Sequence, residues 1–289
     1  MTEKEIQALI SLLDDPDDNV YTQIKGKILD MGDNVIPNLE HAWENSFNPF
    51  FQQRIENLIH EIQFQNVKNA LREWSKTNEK DLLTGALIVS RYQYPDLDET
   101  KINEVIQKVT QDIWLELNDN LTALEKIKVI NHIFFDVHGF SGNKTNYHAP
   151  QNCYINNLIE TKKGNPLTLS MLYMIICQSL GVPVYGVNLP QHFVMCYISQ
   201  SRIYDLKAVK REDILFYINT FSLGYVFSDK DIDKFLKQLN LDLLPEHYLP
   251  ADNLTIINRC INNLILSYEK LGYPDKVEEL ESLKQCLFD

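Results

Sequence analysis

The chain has 289 residues, 44% of them hydrophobic, and carries 40 acidic against 27 basic side chains for a formal charge of −13. That length supports a substantial core divided among two or three packed units. The charge excludes a phosphate-tracking surface, because basic pairs such as Lys162-Lys163 and Lys210-Arg211 cannot reverse the field, so nucleic acid is not expected as a partner.

The opening MTEKEIQALI lacks the basic segment and apolar core of a secretory signal. The most apolar stretch, residues 167–187, is cut by Gln178, Gly181 and Pro183, which reads as a buried helix and strand rather than a membrane span. Cys153, Cys177, Cys196, Cys260 and Cys286 lie far apart without paired metal-ligand spacing. An odd set of thiols without a secretory signal implies a reducing, cytoplasmic setting, and neither a metal nor a cofactor is expected.

A shift of 31 residues superposes Val20 on Phe51, Ile24 on Ile55, Ile28 on Ile59, Met31 on Ile62, Ile36 on Val67, Leu39 on Ala70 and Trp43 on Trp74. Apolar matches at helical spacing predict two equivalent helical hairpins over 12–43 and 43–74. In the first, Asp17 or Asp18 can cap one helix, Gly32 ends it and Pro37 opens the next. The segment 12–39 resembles a HEAT repeat, although two core-packing hairpins of no special family fit the same pattern. Either way, residues 1–76 form an all-helical unit.

Residues 77–137 read as a further helical segment packed on the core. Leu82, Leu83, Ala86, Leu87 and Val89 form one apolar patch, Ile102, Val105, Ile106 and Val109 a second, and Leu124, Ile127, Val129, Ile130 and Ile133 a third. From His138 the composition changes. HGFSGNKTNYHAPQNCY is rich in Gly, Asn, Ser and Pro, and such a loop serves either as a functional element or as a connector.

Asn165 is then a good N-cap, Pro166 suits the first helical position, and an apolar helix runs to Leu180, stopped by Gly181 with Pro183 beyond. Residues 182–187, 193–198 and 203–206 read as three strands of an antiparallel meander. The fold class is therefore α+β and mostly helical.

The run KKGNPLTLSMLYMIICQSLGVPVYGVNLPQHFVMCY, preceded by GFSGNKTNYHAPQNCYINNLIE, resembles the SirB-type branch of the transglutaminase-like superfamily over roughly residues 138–210. The resemblance implies a papain-like core, a central helix on an antiparallel sheet, spanning residues 138–228. Active members of the superfamily place a cysteine in a Gly-x-Cys setting at the start of that helix, a histidine opening a strand and an aspartate on the next. The helix N-terminus lowers the thiol pKa, the histidine pairs with the thiolate and the aspartate orients the imidazole. By position, Gly164 takes the glycine, His192 the histidine and Asp205 the aspartate, while Pro166 stands where the cysteine should be.

No other thiol substitutes readily. Cys177 lies about 16 Å along the helix from its start at the usual rise, and Cys196 roughly 13 Å along the strand from His192. Cys153, in the loop leading to the helix, is the remaining candidate; as a free cysteine it also reads as a small buried hydrophobe. A tight hairpin at Gln200 would set Asp205 opposite Met195 rather than His192, so a bulge or an earlier turn is needed to join the pair.

The expected function is noncatalytic recognition of a protein or peptide partner, through the old active-site cleft or the helical flanks. Its ligand groove is closed over by the GFSGNKTNYHAP loop beside His192, with Asn165, Pro166, His148, Tyr147 and Gln191 as binding residues. The alternative is a cysteine-dependent amide hydrolase or acyltransferase using Cys153 with His192 and Asp205.

Asp229, Asp231 and Asp233 alternate like the first ligands of a calcium loop, but no turn glycine follows, and Ser228 with Asp231 reads as a helix cap. The final segment, 229–289, carries two helices with apolar faces at Leu254, Ile257, Ile261, Leu264, Ile265 and Tyr268, and at Val277, Leu280 and Leu283. They resemble a tetratricopeptide-type hairpin. A single hairpin makes no peptide-binding superhelix, so its expected role is packing or docking.

Overall fold

A computed structural model describes residues 2–202 and 205–289. The chain divides into two compact units, Met1–Ala70 and Leu71–Asp289. In the first, helices α1 (Glu3–Ser11), α2 (Asp18–Leu29) and α3 (Ile36–Glu44) precede the long α4 (Pro49–Lys76), which runs on through the division. Asp17 caps α2 by accepting from the Asn19 N–H, and Gly32 has the positive φ of 59° expected where α2 gives way to a turn. Ile10, Leu13, Ile24, Ile28, Leu39, Ile55 and Leu58 make the core of this unit. Arg54 is buried among them, donating to the Leu13 and Asp15 carbonyls at 2.7 and 2.8 Å beneath the Tyr21 and Phe50 rings.

The expected second hairpin does not exist. Its 31-residue match continues as the single 28-residue helix α4. The first hairpin turns at Gly32, whereas the shifted position is Gln63, and no Gly or Pro interrupts the chain from Phe50 to Lys76. The two tryptophans that anchored the offset sit in unrelated environments: Trp43 is 38% exposed and Trp74 only 4%. Apolar spacing alone cannot distinguish a hairpin from a continuous helix.

In the second unit, α5 (Leu82–Arg91), α6 (Glu99–Glu116) and α7 (Ala123–Asn131) follow the three apolar patches, each opened by a side-chain cap from Asp81, Asp98 or Thr122. A π-helical turn, His132–Val137, extends α7. Next come β1 (Ser141–Gly142), α8 (Ile155–Thr161), β2 (Lys163–Gly164) and α9 (Pro166–Ser179). Ten of the side chains of α9 are buried, so it is the central helix, enclosed on all sides rather than along one stripe. Gly181, with φ of 70°, follows its C-terminus.

A four-stranded antiparallel meander packs on α9: β3 (Val184–Val187), β4 (Val194–Ile198), β5 (Ile214–Asn219) and β6 (Tyr225–Phe227), in that order. Every residue of β4 is buried, as expected of an inner strand covered on both faces. Its second face meets α10 (Asp229–Gln238) through Ile232 and Leu236. The chain ends in the pair α11 (Asn253–Leu271) and α12 (Pro274–Gln285), turned by Gly272 at φ 76°. A mostly helical α+β fold with a central helix on an antiparallel sheet is thus observed. No helix among the described residues is long and apolar enough to cross a membrane.

The third strand lies later than expected. Of the anticipated segment 203–206, Ile203 and Tyr204 fall outside the described residues, Asp205 caps a short 3-10 turn and Leu206 begins it. Polar side chains here satisfy local backbone groups: Asp205 accepts from the Ala208 N–H and Asp213 from the Lys210 N–H, which favours turns over a ladder. The actual strand is ILFYIN, richer in β-branched and aromatic residues, with an extra residue between the Tyr197–Phe216 and Ile198–Ile214 pairs.

Candidate functional site

The start of α9 is fixed by a buried polar network. The Asn165 Oδ1 accepts from the Thr168 N–H at 2.8 Å, a cap worth about 1 kcal/mol against alanine. Pro166 occupies the first helical position, where its missing N–H costs no intrahelical bond. The loop before the helix is pinned by Asn152, which is itself buried. Its Nδ2 donates to the Asn146 and Tyr147 carbonyls, its Oδ1 accepts from Asn143, and its backbone carbonyl accepts from the Thr168 hydroxyl. Short parallel pairing of β1 with β2 ties the other end of the loop beside Gly164.

This scaffold surrounds a cavity of about 400 Å³, within the range of small-molecule sites. All five expected binding residues line it: Tyr147, His148, Asn165, Pro166 and Gln191. Cys153 lines it too, but its side chain is 4% exposed and its sulfur takes a hydrogen bond from the Asn165 amide at 3.2 Å. Burial pushes the Cys153 thiol well above its ordinary range, with nearby Cys260 adding to the shift and the Asn165 bond opposing it. Such a site disfavours the thiolate that nucleophilic attack requires. Cys177, Cys196, Cys260 and Cys286 are also buried.

His192 lies elsewhere. Leu189, Pro190, Gln191 and His192 form a turn closed by the His192 N–H on the Leu189 carbonyl, with Gln191 at φ 60°. Pro in the second place and a left-handed residue in the third are what a type II turn demands. Gln191 faces the cavity at α9, but the His192 ring lines a second cavity of about 260 Å³, with Leu189, Asn219, Tyr225, Phe227 and Phe235. It meets the Phe235 ring edge to face at 4.9 Å. Partial burial, and then the Arg259 charge, lower its pKa below the ordinary value. The loop from Gly139 therefore closes over the cavity at Pro166, not over the His192 ring.

Asp205 does not join His192 either. It follows the Ile198 end of β4, roughly 13 Å along the strand from Val194. The neighbouring strand β5 brings Asn219 to the His192 cavity instead, one position past the Met195–Ile218 pair. The Asn219 Oδ1 is engaged by the Phe221 and Ser222 N–H groups.

Sequence reasoning missed the fourth wall of the α9 cavity. Arg259, Asn263, Leu266, Ser267 and Lys270 line it from α11, at spacings that put them on one helical stripe. Arg259 donates to the Asn188 Oδ1 at 2.7 Å and to the Leu189 and His192 carbonyls at 2.8 and 3.4 Å, so it braces the turn. Burial lowers its pKa. These residues lie on the stripe opposite the apolar face of the helix, where the sequence pattern reads simply as a solvated side.

Of the three alternating aspartates, Asp231 forms the expected cap with Ser228, while Asp229 and Asp233 pair with Arg211.

The chain is similar in sequence to several other proteins. A "UPF0162 protein" from Xylella fastidiosa is 32% identical over 114 residues, 39% of this chain and 41% of the relative. A "UPF0162 protein" from Vibrio cholerae is 24% identical over 182 residues, 62% of this chain and 63% of the relative. "F-box only protein 21" from Mus musculus is 27% identical over 141 residues, 48% of this chain but 21% of that protein. The chain thus spans about two fifths of the Xylella relative's length. No solved structure matches. Residues 100–262, more than half of the chain, match the family model of the Transglutaminase-like superfamily, and the chain belongs to that superfamily.

Proposed function

We propose that this protein is a noncatalytic binding or scaffold member of the SirB-type branch, a pseudoenzyme whose ligand site is the cavity at the start of α9. The observation that carries the reading is Pro166 at the first position of that helix, lining the cavity. An active member needs a sulfur there. Proline removes it, together with the backbone N–H that could help hold an anionic intermediate. Without the nucleophile, the remaining groups have nothing to activate.

The second reading, an amide hydrolase or acyltransferase using Cys153 with His192 and Asp205, meets three objections. The Cys153 thiol is buried and its pKa raised, the His192 ring faces another cavity, and Asp205 is exposed in a separate turn. The partner we propose is a protein or peptide, met in the cytoplasm and bound without a cofactor, with the acidic charge disfavouring nucleic acid.

In this scheme residues 138–228 form the transglutaminase-like core and 77–137 the helical segment on which it packs. The α2–α3 hairpin within 1–76 is a HEAT-like docking element, and α11–α12 within 229–289 is a tetratricopeptide-like one. The test is intact-protein mass spectrometry with amide and ester acyl donors, alongside Cys153→Ala. We expect no covalent adduct; an acyl adduct that disappears in the variant would promote Cys153 to nucleophile and overturn the noncatalytic reading.

A further inference from the structure

We infer that the cavity at the start of α9 is an anion site that takes an extended acidic peptide, anchoring a carboxylate on Arg259. The inference rests on the binding role proposed for that cavity and goes on to specify the ligand. In a chain of net charge −13, the charged residues lining this cavity are Arg259 and Lys270, and no carboxylate lines it. Against so acidic a background, a cationic pocket marks a place where negative charge is accepted.

Arg259 is the stronger part of the argument. It makes no ion pair among the described residues: its three acceptors are one amide oxygen and two backbone carbonyls, all in the segment Asn188–His192. The two shorter bonds both use Nη1, which leaves the Nε–H and one Nη2–H of the planar fork for a ligand. A carboxylate matches that fork with two parallel hydrogen bonds. The same three bonds hold the guanidinium in place, so little side-chain entropy is lost when a ligand arrives.

Lys270 marks the other end. It stands eleven residues along α11 from Arg259, about 16 Å of helix axis, which matches about five residues of extended chain. The Lys270 Nζ lies 3.2 Å from the His148 ring, and Tyr147 and His148 line the cavity from the loop. Between the two cations, Asn263 on α11 and Gln191 on the turn offer polar side chains to a peptide backbone, while the exposed Leu266 offers apolar surface.

The test uses pentapeptides labelled at the N-terminus with an uncharged BODIPY dye in matched sets: glutamate at alternate positions, the same sequence with glutamine, and each as free acid and C-terminal amide. Binding is read by fluorescence anisotropy at 0.05 and 0.5 M salt. The glutamate or free-acid members should bind and weaken as salt screens the charges. Glutamate dependence identifies a side-chain carboxylate and free-acid dependence a terminal one; either supports the inference. Arg259→Gln should weaken binding about ten-fold or more, as loss of a charge-assisted pair does. Lys270→Gln, an exposed position that leaves the turn braced, should weaken it about three-fold.

Equal binding of the neutral glutamine amides overturns the anion site while leaving the noncatalytic binding role standing. Acidic binding unchanged in both variants, or no binding by any acidic member, also overturns it. If Arg259→Gln unfolds, the Lys270→Gln and salt arms decide.

Discussion

The two cavities on either side of the Leu189–His192 turn differ in chemistry although adjacent residues line them. On the α9 side, Asn152, Asn165 and Arg259 build a hydrogen-bonded cationic pocket around a helix that begins with proline. On the other side, His192 sits among Tyr225, Phe227 and Phe235, an aromatic pocket with no sulfur. A thiol enzyme needs the helix start and the imidazole in one place. Here the left-handed Gln191 turns its own side chain toward one cavity while the next residue faces the other. One left-handed residue thus sends neighbouring side chains to two different cavities.

That contrast can be broken most severely at Asn152. Asn152→Ala removes a side chain bonded to Asn143 and to the Asn146 and Tyr147 carbonyls. The loss should be about 3 kcal/mol, since several polar groups are left without partners. Urea unfolding measures it, and hydrogen exchange should accelerate across residues 141–150 while β4 stays protected.

A smaller effect is expected from Gly142→Ala. A Cβ there would clash with the Phe221 ring, so the ring or the β1–β2 pairing must move. Overpacking of this kind costs about 1–3 kcal/mol, and the loop wall of the α9 cavity should loosen without change at His192. Asn165→Ala should cost about 1 kcal/mol through the lost cap and should leave Cys153 alkylation by iodoacetamide slow, because burial rather than the Asn165 bond dominates its raised pKa.

The smallest effect is a pH dependence on the aromatic side. The pKa of His192 is lowered in the folded protein, so the unfolded chain binds its proton more readily. Stability should fall as pH drops from the ordinary histidine value near 6.5 toward the folded value, and no further below it. In His192→Gln the fall over that window should be shallower. Phe235→Ala, which opens the ring to water, should move the His192 titration upward in NMR.

How far the sequence made this legible depends on the kind of signal. Local rules read well where they were strong: Asn165-Pro166 capped α9, Gly181 and Gly272 ended helices, and Ser228 with Asp231 opened α10. Of the five expected binding residues, Tyr147, His148, Asn165 and Pro166 were found together because a loop and a helix start adjoining in sequence also adjoin in space, and Gln191 joins them from the turn before the second strand. Long-range features were hidden. Arg259 and Lys270 reach the cavity from a helix almost a hundred residues later, and nothing local announces that approach. Register was hidden too: Asp205 was expected within a third strand at 203–206, but the strand beside the second begins at Ile214, after 3-10 turns at Gln200–Arg202, Leu206–Ala208 and Arg211–Asp213, and it brings Asn219 to the His192 cavity. The 31-residue offset failed for a related reason, since apolar periodicity persists through a helix whether or not it turns.

The central claim is that the helix start and the imidazole belong to separate sites, and Pro166→Cys tests it most directly. The His192 ring protons would be titrated by NMR in the wild type and in this variant, with the new thiol alkylated and free. The account predicts a His192 pKa that remains below the ordinary value and is the same in all three samples, because no thiolate reaches the ring. A pKa raised above the ordinary value in the free-thiol variant, and restored by alkylation, would reveal a thiolate–imidazolium pair and contradict the separation of the two cavities.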